Sequence, residues 1–179
     1  MSPILGIWAS AQQPALNATS FESIATVTVG AGGASSVTFS SIPQTYTHLQ
    51  IRGYYKGGDN LYGQYNSDTG SNYKTHYLLA YGAGPSILAS SGGGTPNYQF
   101  IGRSDTNQFG SFVCDILDYT NTNKYKTTRS LMGWDDNGTG EVQFASGVWM
   151  NTNAITSIYL YGPSLVQYSR IALYGIKGA

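Results

Sequence analysis

The stretch THLQIR, residues 47–52, alternates strictly between polar and apolar side chains. Because successive side chains of a β-strand point to opposite faces, this pattern predicts a strand with Leu49 and Ile51 on a buried face. The polar residues of the stretch fall on the other face, which we expect to be in contact with water. Such a strand is typical of an antiparallel sheet that covers a core with one side only.

Similar runs fill the chain from residue 22 onward. Segments rich in Val, Ile, Thr, Tyr and Phe are separated by clusters of Gly, Asn, Asp, Pro and Ser, which are turn formers. The runs predict strands at 24–29, 36–39, 47–52, 74–81, 109–118, 125–134, 141–150, 155–161 and 169–176, with weaker ones at 61–65 and 98–101. About ten strands at this spacing predict an all-β fold, an antiparallel, jelly-roll-like β-sandwich.

Glycine-rich segments predict two of the connections. The segment 30–34, Gly-Ala-Gly-Gly-Ala, favours a tight hairpin between the strands at 24–29 and 36–39, because glycine adopts positive φ angles at little cost. The segment 82–96 contains Ser-Ser-Gly-Gly-Gly and has low complexity, so we expect a mobile loop at one end of the sandwich.

The first 20 residues differ from the rest. A short apolar run is followed by Ala, Gln, Pro, Asn and Ser without a sustained period. We therefore predict an extended N-terminal docking arm at 1–20 and a β-sandwich domain at 21–179. The arm would attach to a partner through the side chains of Ile4, Leu5, Ile7 and Trp8. No run approaches the roughly 20 apolar residues that span a bilayer, so membrane insertion is not expected.

The chain carries few ionisable groups. Its 179 residues include nine Lys and Arg, nine Asp and Glu, two His and one Cys, and the formal net charge is zero. A neutral chain without a basic run has no general field that attracts nucleic acid. So few candidate acids, bases and nucleophiles indicate a non-enzymatic protein without a cofactor, which acts through its surface.

Individual reactive residues support this interpretation. His48 and His76 lie in alternating strands without an activating partner nearby in sequence. Asp115 and Asp118 fall on opposite faces of one strand, so we expect Asp115 to pair with a Lys or Arg of a neighbouring strand. Cys114 lies on the apolar face of the same strand and is predicted to be a small core residue.

Oxygen-bearing side chains at alternate positions, among them Asp135, Asn137 and Glu141, form a weak candidate for a calcium loop. The full twelve-residue ligand pattern is missing. Asp-Asn-Gly between two strands is also typical of a hairpin turn, which we favour.

Tyrosines crowd into the segment 54–81, among Gly and Asn. Tyrosine offers a broad apolar surface and a hydroxyl, which suits protein interfaces and stacking on sugars. We expect about half of the set to cover the core. The candidates for a glycan-binding or partner-binding surface are Tyr54, Tyr55, Tyr62, Tyr65 and Tyr73, with Asn60, Asn66, Asp68 and Asn72 as polar neighbours.

Three segments together resemble a family of structural proteins in the virions of tailed phages that infect aquatic and cyanobacterial hosts. They are 41–53, 115–127 and 172–178, and the opening 4–10 is also similar to that of such proteins. The resemblance implies a protein made in the host cytoplasm and displayed on the outer surface of the virion. It implies no catalytic residues, because the family motifs carry no known chemistry.

Two locations on the particle remain open. The first is a capsid decoration, or cement, protein, a homotrimer that its arm anchors to the major capsid protein. The alternative is a short tail fibre or receptor-binding tip, attached to a tail or baseplate protein, whose Tyr-rich loops bind a host-surface polysaccharide. An enzyme such as a depolymerase would need a pair of carboxylates at one site, and the sequence marks none.

Overall fold

Twelve strands make up the regular structure of the chain in the computed structural model, which describes residues 20–84, 86–91 and 96–178. They are β1 Phe21–Thr28, β2 Ala34–Phe39, β3 His48–Tyr55, β4 Asn60–Tyr65, β5 Tyr73–Tyr81, β6 Ser86–Ser91, β7 Gln99–Arg103, β8 Gly110–Leu117, β9 Lys126–Asp135, β10 Gly140–Trp149, β11 Ile158–Leu165 and β12 Arg170–Ile176. The predicted all-β antiparallel sandwich is confirmed, with twelve strands instead of about ten.

The strands form two sheets of unequal width. Sheet A has eight strands in the order β1-β12-β3-β8-β9-β10-β5-β6, and sheet B has four in the order β2-β11-β4-β7. Neighbouring strands run antiparallel in both sheets. From β1 to β5 the chain alternates between the sheets, as in jelly-roll-like sandwiches, so the core is closed by segments far apart in sequence.

Strand β3 lies inside sheet A, between β12 and β8. Leu49 and Ile51 are fully buried in the core and Arg52 is exposed, as the alternation predicts. Gln50 is nearly buried although it belongs to the outer face. Its amide donates a 2.6 Å hydrogen bond to the carboxylate of Asp115, and its oxygen accepts one from Arg52, so polar neighbours cover it.

Three aromatic residues pack together in the core between the sheets. Trp149 of β10, Tyr65 of β4 and Tyr73 of β5 are fully buried, with ring centroids 5.6–6.5 Å apart. The indole Nε1 of Trp149 donates a 2.7 Å hydrogen bond to the carboxylate of Asp68, which follows β4. This bond joins sheet A to the end of a strand in sheet B.

A buried lysine closes one end of the sandwich. Lys126 begins β9 on the core side, and its ammonium donates hydrogen bonds of 2.6–3.0 Å to the backbone carbonyls of Asn121, Lys124 and Thr152. Burial lowers the pKa of this ammonium, and the charge of Lys124 adds to that effect. One side chain thus ties together the loops before β9 and after β10.

The predicted hairpin between 24–29 and 36–39 is wrong. Strand β1 pairs with β12 in sheet A, whereas β2 pairs with β11 in sheet B. The glycine-rich connection crosses from one sheet to the other, and Gly33 has a φ of +70° within it. A Cβ at this position would lie 3.0 Å from the carbonyl oxygen of Leu165, so glycine allows the two backbone segments to approach closely here.

The predicted mobile loop at 82–96 contains a strand. Strand β6, Ser86–Ser91, pairs with β5 and forms one edge of sheet A. The serine-rich sequence did not predict this strand. Its pairing with β5 uses backbone hydrogen bonds, which do not require apolar side chains on both faces. Residues 85 and 92–95 lie outside the described part of the chain.

The predicted docking arm also lies outside the described residues, except for Ser20. The backbone carbonyl of Ser20 accepts a 3.0 Å hydrogen bond from Lys177, next to the start of β1. The prediction for Ile4, Leu5, Ile7 and Trp8 therefore stays a prediction. In the described ranges, no helix is long and apolar enough to cross a membrane.

Sheet B ends before sheet A does. Its edge strand β7 packs mainly across β8 and β9, so the inner sides of β5 and β6 extend beyond the edge of sheet B. Side chains that face inward on this overhang stay accessible, and Tyr81 and Leu88 are 50% and 44% exposed. The unequal widths create a step along one side of the sandwich.

Candidate functional site

Three of the five candidate tyrosines are core residues. Tyr55, Tyr65 and Tyr73 are fully buried, so their assignment to a glycan-binding or partner-binding surface is wrong. The hydroxyl of Tyr55 donates a 2.7 Å hydrogen bond to the carbonyl of Asp59, and burial raises its pKa. The expectation that about half of the tyrosine set covers the core is confirmed for these members.

Three of the four polar neighbours predicted for a sugar site, Asn66, Asp68 and Asn72, form hydrogen bonds within the protein. The side-chain oxygen of Asn66 accepts hydrogen bonds from the backbone N–H groups of Thr156 and Ser157. Burial alone would raise the pKa of Asp68, but hydrogen bonds from Trp149 and Asn72 outweigh it, and the pKa is lowered. Tyr65 and Tyr73 therefore build the core instead of a sugar platform.

The outer side of sheet B carries a group of five rings, which we call the aromatic face: Tyr62, Tyr98, Phe100, Tyr159 and Tyr161. Tyr159 and Tyr161 stack with centroids 5.3 Å apart, and Tyr161 lies 5.8 Å from Tyr62. Tyr62 in turn lies 4.2 Å from Tyr98 and 5.6 Å from Phe100. Of the sequence candidates, only Tyr62 belongs to this face.

The aromatic face combines ring surfaces with hydroxyl donors. Tyr159 is 39% exposed, and the other rings of the face are half-buried. Burial raises the pKa of both Tyr62 and Tyr161, and a tyrosine hydroxyl is protonated at neutral pH even at its ordinary pKa. The face therefore offers apolar contact together with hydrogen-bond donors and acceptors.

A signal for this face was present in the sequence. In the run 155–161, Ile158 and Leu160 are buried, so the alternation sends Tyr159 and Tyr161 outward. The sequence analysis weighed only the tyrosines of 54–81 as a set. The second group was missed because its rings come from β4, β11, β7 and the residue just before β7, which meet only in the folded sheet.

The row of rings leads into a groove at the step between the sheets. Phe100 of β7 and Tyr77 of β5 meet edge to face, with centroids 5.9 Å apart. Beyond them lies a cavity of about 260 Å³, which we call the side groove. Its lining includes Asn60, Tyr77, Tyr81, Arg103, Glu141 and Gln143.

The side groove is polar and has no excess of positive charge. Arg103 lies 3.1 Å from the carboxylate of Glu141 and 2.7 Å from that of Asp59, so two acidic groups hold its charge. Gln143 is 3% exposed, and it lines the groove from β10. An amide that lines a groove offers hydrogen-bond donors and an acceptor to a polar ligand there.

The outer side of sheet A is different. Val113, Leu131, Phe144 and Leu78 are direct cross-strand neighbours on β8, β9, β10 and β5. With Val142 they form what we call the apolar face, and the exposed fractions of Leu131, Leu78, Phe144 and Val142 are 55%, 50%, 44% and 53%. The sequence analysis did not identify this face.

A second cavity, of about 890 Å³, continues the apolar face towards the β9–β10 turn. Leu131, Val142, Phe109 and Gly133 line it. A Cβ at Gly133 would lie 2.5 Å from the carbonyl oxygen of Glu141, so this floor position excludes any side chain. The face is therefore concave at one end.

The weak calcium candidate is a hairpin turn. Asp135 accepts a hydrogen bond from the backbone of Asn137, whose φ is +45°, and Glu141 is paired with Arg103. Among the described residues, no group of three His, Cys, Asp or Glu side chains is placed to hold a metal ion. The favoured interpretation as a β9–β10 turn is confirmed.

The remaining reactive residues have structural contacts. Asp115 pairs with Arg129 of β9 at 3.3 Å, as predicted, while Asp118 pairs with Lys124. His48 Nδ1 accepts a hydrogen bond from the backbone of Asp118, which commits that ring nitrogen to the loop. Cys114 is buried, and burial raises the pKa of its thiol to about 12, which keeps it unreactive.

Comparisons with protein-family models and with curated proteins find no match to this chain. Its function is therefore argued from two surfaces on opposite outer sides of the sandwich. The apolar face of sheet A is suited to burial against another protein, and the aromatic face with the side groove is suited to a polar ligand that also has apolar surfaces.

Proposed function

We propose that this chain is a non-enzymatic structural protein of a phage virion, displayed on the outside of the particle as a capsid decoration protein. The observation that carries the proposal is the apolar face, which spans strands β8, β9, β10 and β5 of sheet A. The resemblance of three sequence segments to phage virion proteins supports the setting. The partner would be the major capsid protein, and the chain would act as a homotrimer.

Physical chemistry favours a docking role for this face. Monomeric proteins rarely leave a contiguous apolar patch of several neighbouring side chains open to water. Burial of apolar area stabilises a complex by about 25 cal/mol per Å². Many copies on one particle would add their contacts, so a modest affinity per copy gives stable attachment.

The proposal is tested by adding purified protein to particles assembled without it. The variant Leu131→Ser with Phe144→Ser removes two exposed side chains from the apolar face without touching the core. We expect at least about tenfold weaker co-sedimentation with the particles, since each lost contact contributes about 1 kcal/mol or more.

The matched control is Tyr159→Ser, on the outer side of the other sheet, which should attach like the wild type. Equal attachment of the double variant and the wild type would refute docking through the apolar face.

A second candidate, a short tail fibre or receptor-binding tip, is favoured by the aromatic face. Partly exposed tyrosines arranged side by side suit recognition of a host-surface polysaccharide. Gold labelling of intact particles with an antibody against residues 82–96 separates the two locations. Labels over the head support decoration, whereas labels confined to the tail favour the second candidate.

A further inference from the structure

The side groove owes its shape to the unequal sheets. Strand β7 ends sheet B, while β10, β5 and β6 continue sheet A beyond it. Side chains of β5 and β10 that would face a second sheet line an open groove instead. Such a groove is built by the fold and does not depend on one loop.

The groove presents polar groups next to rings. Tyr77 and Tyr81 come from β5, and the amide side chain of Gln143 comes from β10. Asn60 adds a second amide at the opposite wall. An amide offers both donors and acceptors, which match the hydroxyl groups of a ligand in either direction.

The rings extend the groove into a continuous path. From Tyr77 the path passes Phe100, Tyr62 and Tyr161 to Tyr159, with consecutive centroids 5.3–5.9 Å apart. A ligand with repeated units would contact several rings at once. A long chain therefore suits this surface better than a compact small molecule.

The charges of the groove select among such ligands. Arg103 is the basic group of the lining, and its guanidinium is bound by Glu141 and Asp59. No surplus positive charge remains for a carboxylate or sulfate, and an acidic chain would meet those two carboxylates. The charges of the groove therefore disfavour an acidic ligand.

We propose that the side groove and the aromatic face together bind a neutral polysaccharide. The apolar faces of sugar rings would stack on the tyrosines, and sugar hydroxyls would form hydrogen bonds with the amides of Gln143 and Asn60. This inference rests on the second candidate function and deepens it, because it adds the side groove and the neutral charge of the ligand, and it is tested on the free protein without a particle.

Biolayer interferometry on immobilised polysaccharides tests the proposal. The neutral probes are dextran, galactomannan, xyloglucan and yeast mannan, and the acidic probes are alginate and heparin. We expect the wild type to bind at least one neutral probe and to bind it more strongly than either acidic probe. Binding to acidic probes only, or to none, would overturn the proposal.

Two tyrosines provide a matched pair of variants. Tyr81 and Tyr54 are both on strands of sheet A and are 50% and 45% exposed, but only Tyr81 lines the side groove. Tyr81→Ala should weaken binding to the neutral probe by about tenfold, whereas Tyr54→Ala should leave it unchanged. Equal binding of the two variants would argue against binding of the polysaccharide in the side groove.

Gln143→Leu tests the amide by itself. Leucine is similar in size to glutamine but has no amide. We therefore expect a folded protein with an unchanged melting temperature and a clear loss of affinity for the neutral polysaccharide. Unchanged affinity would exclude the amide from binding. The pair Leu131→Ser and Phe144→Ser should bind the polysaccharide normally, so failure of this proposal and failure of the docking proposal are separate results.

Discussion

The outer sides of the two sheets both carry hydrophobic side chains but differ in chemistry. The apolar face of sheet A consists of aliphatic side chains and Phe144, which have no hydrogen-bonding group. On the aromatic face of sheet B, four of the five rings are tyrosines, and the side groove adds amides and an ion pair. The first surface can gain affinity only by excluding water, whereas the second can also recognise the pattern of hydroxyls on a ligand.

The largest effect should come from a change that damages both surfaces at once. Trp149 lies in the core between the sheets, so Trp149→Ala should lower the free energy of unfolding by about 3–5 kcal/mol. Urea denaturation followed by circular dichroism measures it. A loss below about 1 kcal/mol would mean that the two sheets are held together mainly by other residues.

A smaller effect should follow from loosening the link between the sheets. Asp68→Asn weakens the hydrogen bond from Trp149 and should cost about 1–2 kcal/mol at pH 7. The pKa of Asp68 is lowered from 3.8, so its stabilisation is complete above that pH and is lost as the pH falls through the folded-state value.

The stability difference between wild type and Asp68→Asn should therefore be constant near neutral pH and shrink below about pH 4. Denaturation at pH 7, 5, 4 and 3 checks this course. A difference that grew towards low pH would show that the carboxylate does not stabilise the fold.

A charge on the apolar face should weaken attachment to particles, whereas a charge on the aromatic face should not. Leu131→Lys places an ammonium in the apolar face and should reduce binding to particles, at a cost of about 1–2 kcal/mol of binding free energy. Its effect on unfolding should stay within about 0.5 kcal/mol, because the side chain is exposed. Co-sedimentation and thermal melting measure the two quantities, and Tyr159→Lys is the counterpart on the aromatic face.

The smallest effect concerns a single hydroxyl. Tyr159→Phe keeps the stacked ring on Tyr161 and removes only the phenol group. If stacking dominates on the aromatic face, affinity for the neutral polysaccharide should change by less than about threefold. A tenfold loss in interferometry would assign the recognition to hydrogen bonds instead.

The sequence contained most of the strands because burial on one face imposes a period of two. The predicted runs 74–81 and 109–118 agree closely with β5 and β8. Strand β6 was not predicted, because its serine-rich sequence does not alternate between polar and apolar residues. The pairing of β1 was predicted wrongly for a different reason. A glycine-rich link can form either a hairpin within one sheet or a crossing between two sheets, and the sequence does not distinguish them.

The surfaces were harder to predict than the strands. The alternation that buries Leu49 and Ile51 continues to Tyr55 and so indicates that Tyr55 is buried and Tyr54 is not. That step was available from the sequence alone. The side groove was not, because it depends on sheet B being narrower than sheet A, and sheet width follows from pairings between distant strands.

The buried ammonium of Lys126 also gives the protein an internal reporter of folding. Acylating reagents attack free amines, and this one is enclosed and occupied by three carbonyls, so it should resist labelling in the native state. Lys56, which is partly exposed, should react faster and serve as an internal reference. Labelling of Lys126, read by mass spectrometry, would then time the opening of the sandwich end, in solution or on an assembled particle.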